Sequence, residues 1–245
     1  MFNLKIKTFI HQNIPYSFNW NKEHHKDKYS QIISNRDELN RLRIHFKKVY
    51  EGMIPNTLFN SRKIPRVSQF KIKGLKNAFV RSFSKSLIRS GKVQYNDSKS
   101  KLSQYAQKVF DIYQKNNFGS IPGHDPILKN ILIKDKDSVA IEVPIWSKNE
   151  NITITGHIDL IQIENDIVKV IDYKPEGNFL LSLPQVATYG FLVKAQLNIK
   201  KIKCISFNKQ SSWEYEPSLL IEDIKDYLIS QQINERPWEN YISLK

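Results

Sequence analysis

The stretch GHIDLIQIENDIVKVIDYKPEG, residues 156–177, sets two aspartates inside apolar, strand-like sequence. A carboxylate there is costly unless it is paired or binds a metal. Three segments around it have strand character: 138–146 (SVAIEVPIW), 152–162 (ITITGHIDLIQ) and 166–173 (DIVKVIDY). The short turn in IENDI predicts that the last two form an antiparallel hairpin. Side chains alternate along a strand, so Asp172 and Lys174 share a face, and pairing lets Asp159 reach it. Two carboxylates and an ammonium then converge at one edge of a sheet. Like charges so close resist joint ionisation unless a cation lies between them. Mg²⁺ is a hard cation bound by one or two carboxylates, with water and substrate phosphate completing its shell. Such an ion acidifies water and stabilises charge on phosphate, while the lysine orients the water or holds the phosphate.

The rest of the chain frames this centre. The first 20 residues read as an extended lead-in. Residues 35–50 have helical spacing, with Leu39, Leu42, Phe46 and Val49 on one stripe. Pro55 and Pro65 punctuate a loop, residues 70–88 read as a basic helix, and Gly91 ends it. A clearer amphipathic helix covers 98–114, followed by the loop NNFGSIPGHDP. Beyond the three strands come a helix over 183–195 with Pro184 in its first turn, a strand over 201–207 and a helix over 219–233. This order predicts a mixed α/β core, residues 98–245, behind a basic, mainly helical N-terminal part, residues 1–97.

Charge is unevenly placed. The formal net charge is +14, yet residues 1–100 hold 21 Lys and Arg against 6 acids, and residues 52–96 hold ten basic residues and no acid. Such a surface suits a polyanion. The basic candidates for phosphate contact are Arg62, Lys63, Arg66, Lys71, Lys73, Lys76, Arg81, Lys85 and Arg89. The interleaved Phe59, Phe70, Phe79 and Phe83 either stack on bases or belong to the core. Mean hydropathy is −0.49 with no unbroken apolar run of membrane-spanning length, and the first residues do not read as a secretory signal. The expectation is an intracellular protein of the cytoplasm, nucleoid or an organelle matrix, without a membrane partner. The single cysteine, Cys204 in KIKCISF, reads as a packed strand residue and cannot build a four-cysteine metal site.

The ordered set Gly156-His157-Ile158-Asp159, Asp172-Tyr173-Lys174, then Gln185 and Tyr189 on one helix face resembles the PD-(D/E)XK nuclease superfamily. The similarity is to the branch of RecB-type nuclease domains, CRISPR adaptation nucleases and the mitochondrial genome maintenance exonuclease, and it covers about residues 98–245. It implies a restriction-endonuclease-like fold, with Asp159, Asp172, Lys174, Gln185 and Tyr189 as catalytic residues. Asp159, Asp172, Glu142 and His124 are implied to hold Mg²⁺ or Mn²⁺. The iron–sulfur members need four cysteines, so no cluster is expected. His24, His25 and His45 are alternatives to His124, and His157, two residues before Asp159, stands where relatives often carry arginine. Pro175-Glu176 departs from the small or hydroxyl residue usual after the lysine.

The function expected is a metal-dependent deoxyribonuclease of repair, recombination or replication, acting on single strands, ends or flaps. A catalytically inactive nucleic-acid-binding module and an RNA-directed nuclease are the alternatives. No G-x-x-x-x-G-K-[ST] motif occurs, so unwinding would fall to a helicase or replication partner.

Overall fold

The computed structural model describes residues 4–31, 36–148 and 152–242. In chain order the elements are β1 (Leu4–His11), β2 (Ile14–Asn21), α1 (Lys22–Gln31), α2 (Arg36–Tyr50), α3 (Asn56–Asn60), α4 (Asn77–Arg89), β3 (Val93–Asn96), α5 (Lys101–Lys115) and α6 (His124–Lys134). They continue with β4 (Ser138–Lys148), β5 (Thr153–Glu164), β6 (Ile167–Tyr173), α7 (Phe179–Leu197), β7 (Ile202–Phe207), β8 (Ser212–Tyr215) and α8 (Lys225–Ser230).

The strands form one eight-stranded mixed sheet, ordered β1-β2-β4-β5-β6-β7-β8-β3. Among the described residues, β6 and β7 are the one pair of neighbouring strands that runs parallel. The hairpin expected of 152–173 is present: Leu160 pairs with Ile171 and Glu164 with Ile167, around Asn165 at φ 56°. Apolar residues alternate between two cores. Ile141, Leu160, Ile171 and Ile205 pack with Leu102, Ala106 and Val109 of α5 and Ile127, Leu128 and Ile131 of α6. Ala140, Ile161, Val170 and Cys204 pack with Leu183, Val186 and Ala187 of α7 and with Leu42 and Phe46 of α2. Both sheet faces are covered, which explains the near-continuous apolar runs of β5 to β7.

Several elements differ from the sequence reading. The lead-in is a hairpin, turned by Gln12 and Asn13 at φ 51° and 65°, the left-handed pair that a two-residue turn requires. Its second strand joins the sheet through Asn19–Ile141 and Trp20–Ala140. Strand β3 joins the opposite end through β8, another pairing that local sequence does not signal. Strands β1, β2 and β3, all before residue 98, therefore lie in the same sheet as the strands of residues 98–245. The helix expected from residue 70 begins at Asn77, because Phe70 and Ile72 are buried in extended chain and Ile72 N–H bonds the Leu181 carbonyl at 3.0 Å. The expected loop through residue 126 becomes helical at His124. Helix α7 starts at Phe179 under an Asn178 cap, which leaves Pro184 inside it. The C-terminal helix is shorter than 219–233 and opens with a π turn over Leu220–Ile224. Of the helix expected over 35–50, Asn35 lies outside the described residues. Among the described residues, no helix is long and apolar enough to cross a membrane.

Phe46 is fully buried against Phe18, Trp20 and His25, joining α2 to the hairpin and α1. Phe46→Ala should cost about 3–5 kcal/mol. Urea unfolding should remain a single transition, because the N-terminal elements share the sheet; a separate early transition would show that they fold independently.

Candidate active site

The centre lies where β5 and β6 part. Their ladder ends at Leu160–Ile171, and the next facing positions are Asp159 and Asp172. Strand β6 continues on β7 to Tyr173–Phe207, while β5 stays with β4 through Ile158–Val143. The backbone N–H of Tyr173 donates to Asp159 Oδ2 at 2.9 Å. Asp172 has 1 % of its side-chain surface exposed and Asp159 14 %. Lys174 Nζ lies 2.7 Å from Asp172 Oδ2 and donates to Gln185 Oε1 at 3.1 Å, while Gln185 Nε2 donates to Asp172 Oδ1 at 2.9 Å. Lys174 is an ion-pair partner of Oδ2, but that buried oxygen accepts no well-directed hydrogen bond.

Glu142 lies across from Asp159, between Ile141 and Val143 on β4. Its φ is 51°, a left-handed conformation that costs a non-glycine residue of order 1–3 kcal/mol. The kink puts its carboxyl in the same cleft, a cavity of about 320 Å³ whose lining also includes Asp159, Lys174, Gln185, Tyr189, His124 and Lys71. The cluster is electrostatically strained. Burial, then the charge of Asp159, pushes Glu142 up to about 8. Burial, then Asp159, raises Asp172 to about 7 against the opposing pull of Lys174. Burial raises Asp159 to about 6, opposed by Lys174 and the Tyr173 N–H.

The glycine of G-x-x-D has a packing reason. A Cβ on Gly156 would stand 2.5 Å from Tyr189 Cε1, so α7 can close onto β5 only over a glycine. Tyr189 is 2 % exposed and forms part of the cleft lining, with Gln185 one turn before it. His124, at the start of α6, brings Nε2 within 3.8 Å of Asp159 Oδ2, but Nε2–H donates to the Tyr173 carbonyl at 3.0 Å. That nitrogen is therefore occupied, and burial lowers the imidazole's pKa. The alternative histidines lie elsewhere: His24 bonds the Ser138 carbonyl, His25 accepts from Trp20 Nε1, and His45 donates to the Pro144 carbonyl. None of the three lines the cleft.

His157, two residues before Asp159 on β5, also lines the cleft. Arg66 Nη2 reaches its Nδ1 at 3.4 Å, and His11 Nδ1 lies 2.8 Å from its Nε2. Arginine only donates, so His157 Nδ1 accepts and its Nε2–H donates to His11. His11 Nε2–H then points to Asn56 Oδ1 at 3.4 Å. Both nitrogens of His157 are engaged, and burial holds it neutral, far below its ordinary value. Arg66 also donates to the Tyr16 hydroxyl at 2.8 Å and is buried, which removes it from the open phosphate-binding surface expected of it.

The other eight basic candidates are exposed. Of these, Lys71 alone lines the cleft, while Arg81, Lys85 and Arg89 recur every fourth residue along α4. Phe59 and Phe70 are core residues, Phe83 stacks on Tyr227 at 3.6 Å, and Phe79 is exposed. Tyr16 and Ser68, absent from the sequence reading, also line the cleft. No local pattern marks them, because Tyr16 arrives by strand pairing. Ser68 arrives because Thr155 N–H bonds the Pro65 carbonyl at 3.3 Å.

A scan against protein-family models finds no match, and searches of curated proteins and of solved structures find none either.

The raised carboxylates fix the sign of a pH effect. The native state holds protons that the unfolded chain, with ordinary carboxylate values near about 4, releases. Their contribution to stability is full below those values and is lost as pH rises through about 6 to 8. The melting temperature of metal-free protein should therefore decline over that window, and Glu142→Gln should flatten the decline. An unchanged slope in that variant would remove Glu142 from the cluster.

Proposed function

We propose that this chain is a Mg²⁺- or Mn²⁺-dependent deoxyribonuclease with a restriction-endonuclease-like core. The observation that carries the reading is the buried Asp172, gripped by Lys174 and Gln185, beside a cleft lined by Asp159, Glu142 and Lys174. Among the described residues, no three His, Cys, Asp or Glu side chains form a ready-made metal cage. The donor set nevertheless fits a hard cation that keeps much of its water: carboxylate oxygens only, one of them buried without a directed hydrogen bond, and three acids whose mutual repulsion a divalent charge relieves. Asp159, Asp172 and Glu142 would hold it, with His124 at the rim.

A divalent cation there supplies Lewis-acid stabilisation of phosphate and a more acidic water. Lys174, fixed by Asp172 and Gln185, presents an ammonium to the cleft that orients a water and offsets charge on the phosphate. Gln185 holds both partners in register, and Tyr189 and Gly156 set the depth of α7 over the site. Lys71 and the exposed lysines after it give the acidic centre a basic approach. The substrate favoured is single-stranded DNA, ends or flaps, with any unwinding left to a partner. The same Lys174–Asp172 contact would also suit a catalytically silent binding module, so cleavage has to be measured directly.

Labelled single-stranded, duplex and flapped DNA should be cut with Mg²⁺ or Mn²⁺ and left intact with EDTA. Asp172→Ala and Lys174→Ala should each lower the rate by at least about a hundredfold while circular dichroism stays unchanged. Wild-type cleavage by the Asp172→Ala protein would overturn the assignment.

Binding should depend on the basic segment. In an Asp172→Ala background, changing Lys71, Lys73 and Lys76 together to alanine should weaken single-strand binding. The salt slope of log K should fall by about 0.7 for each phosphate left without its lysine. Affinity and slope both unchanged would place the DNA path elsewhere.

A further inference from the structure

The part of the cleft lined by Tyr16 and His157 contains a group that metal-assisted hydrolysis does not use. Tyr16, from the β1–β2 hairpin, lies on His157 with ring centroids 3.8 Å apart and planes 2° from parallel. His157 in turn packs on Phe59 at 5.2 Å and on His11 at 4.9 Å. The Tyr16 hydroxyl is held by Arg66, whose guanidinium carbon lies 5.3 Å from the ring centroid. One face of Tyr16 is thus covered and its far end clamped, yet the residue is only half-buried and lines the same cavity as Asp159 and Lys174.

We infer that Tyr16 is a stacking platform for one nucleobase of the bound strand, next to the bond to be cut. The inference rests on the polynucleotide reading above and adds a contact to it. Both ring nitrogens of His157 are already engaged, so this wall offers a ligand an aromatic face rather than a pattern of donors and acceptors. Every base has a π face, so recognition here is indifferent to sequence. The cavity, about 320 Å³, lies at the small end of ligand pockets, which fits one unpaired nucleotide better than a base pair. Ser68 and Lys71, on the segment that follows Arg66, line the same space and suit the phosphate of that nucleotide. Because the ring is held before any ligand arrives, little side-chain freedom is lost on binding.

The test is equilibrium binding in the Asp172→Ala background, which prevents cutting. A short oligothymidine is compared with a strand of equal length made of abasic residues and carrying the same phosphates. The base-bearing strand should bind about tenfold more tightly. Tyr16→Ala should lose most of that margin on oligothymidine and leave the abasic strand unchanged, whereas Tyr16→Phe should keep it within about twofold. Thermal unfolding establishes that each variant is folded. Should Tyr16→Ala fail to fold, one abasic residue is walked along oligothymidine bound to the protein with Tyr16 intact. A single position of loss supports the platform, and a uniform response overturns it. Equal loss on both strands in Tyr16→Ala makes Tyr16 structural and overturns the inference while leaving the nuclease reading standing. Binding of neither strand overturns both.

Discussion

The site depends on a fork in the sheet. Strand β6 leaves β5 to continue beside β7, and β5 stays with β4, so a wedge opens after the Leu160–Ile171 pair. A backbone N–H stranded in such a wedge must find an acceptor or carry the cost of burial. Asp159 supplies it, and this ties the Tyr173 backbone to the carboxylate that faces Asp172. Helix α7 closes the wedge from above, Gln185 taking one oxygen of Asp172 and Tyr189 lying over Gly156. Removing the fork would turn both aspartates into unpaired charges within a continuous ladder.

Electrostatics follow from that geometry. Asp159 and Glu142 line the cleft and Asp172 is buried beside them; burial raises all three, the charge of Asp159 raises Glu142 and Asp172 further, and Lys174 pulls both aspartates back in part. The arrangement carries an electrostatic cost, set by burial and by like charges held close together, that Lys174 offsets only in part. The basic segment does not simply coat the outside. It runs past the start of β5, where Arg66 is committed to Tyr16 and His157 and Lys71 reaches the cleft. An acidic floor and a basic approach come from chain regions about a hundred residues apart.

Much of the centre was legible locally. Asp159, Asp172 and Lys174 follow from strand alternation and a short hairpin turn, both short-range rules. Gln185 and Tyr189 are implied by the resemblance, and helical spacing adds only that they share one face. The N-terminal hairpin was not legible, because its turn uses Gln12 and Asn13 without a glycine, and its pairing with β4 spans more than a hundred residues. His124 is offered by the sequence as a metal ligand; its Nε2 comes within 3.8 Å of Asp159 Oδ2, but the bond of that nitrogen to the Tyr173 carbonyl depends on how α6 meets the end of β6.

Sequence alone determined which side chains share a strand or helix face, because the periods of two and 3.6 residues are properties of the local backbone. It also determined the charge split and the presence of apolar strands that must be covered on both sides. Tertiary structure decided which charges stay free. Arg66 and Lys71 look alike in a basic run, yet one is buried in an aromatic cluster and the other is open at the cleft. It also decided that Tyr16 stands beside Asp159, since strands far apart in the chain meet only when their apolar faces close over a common core.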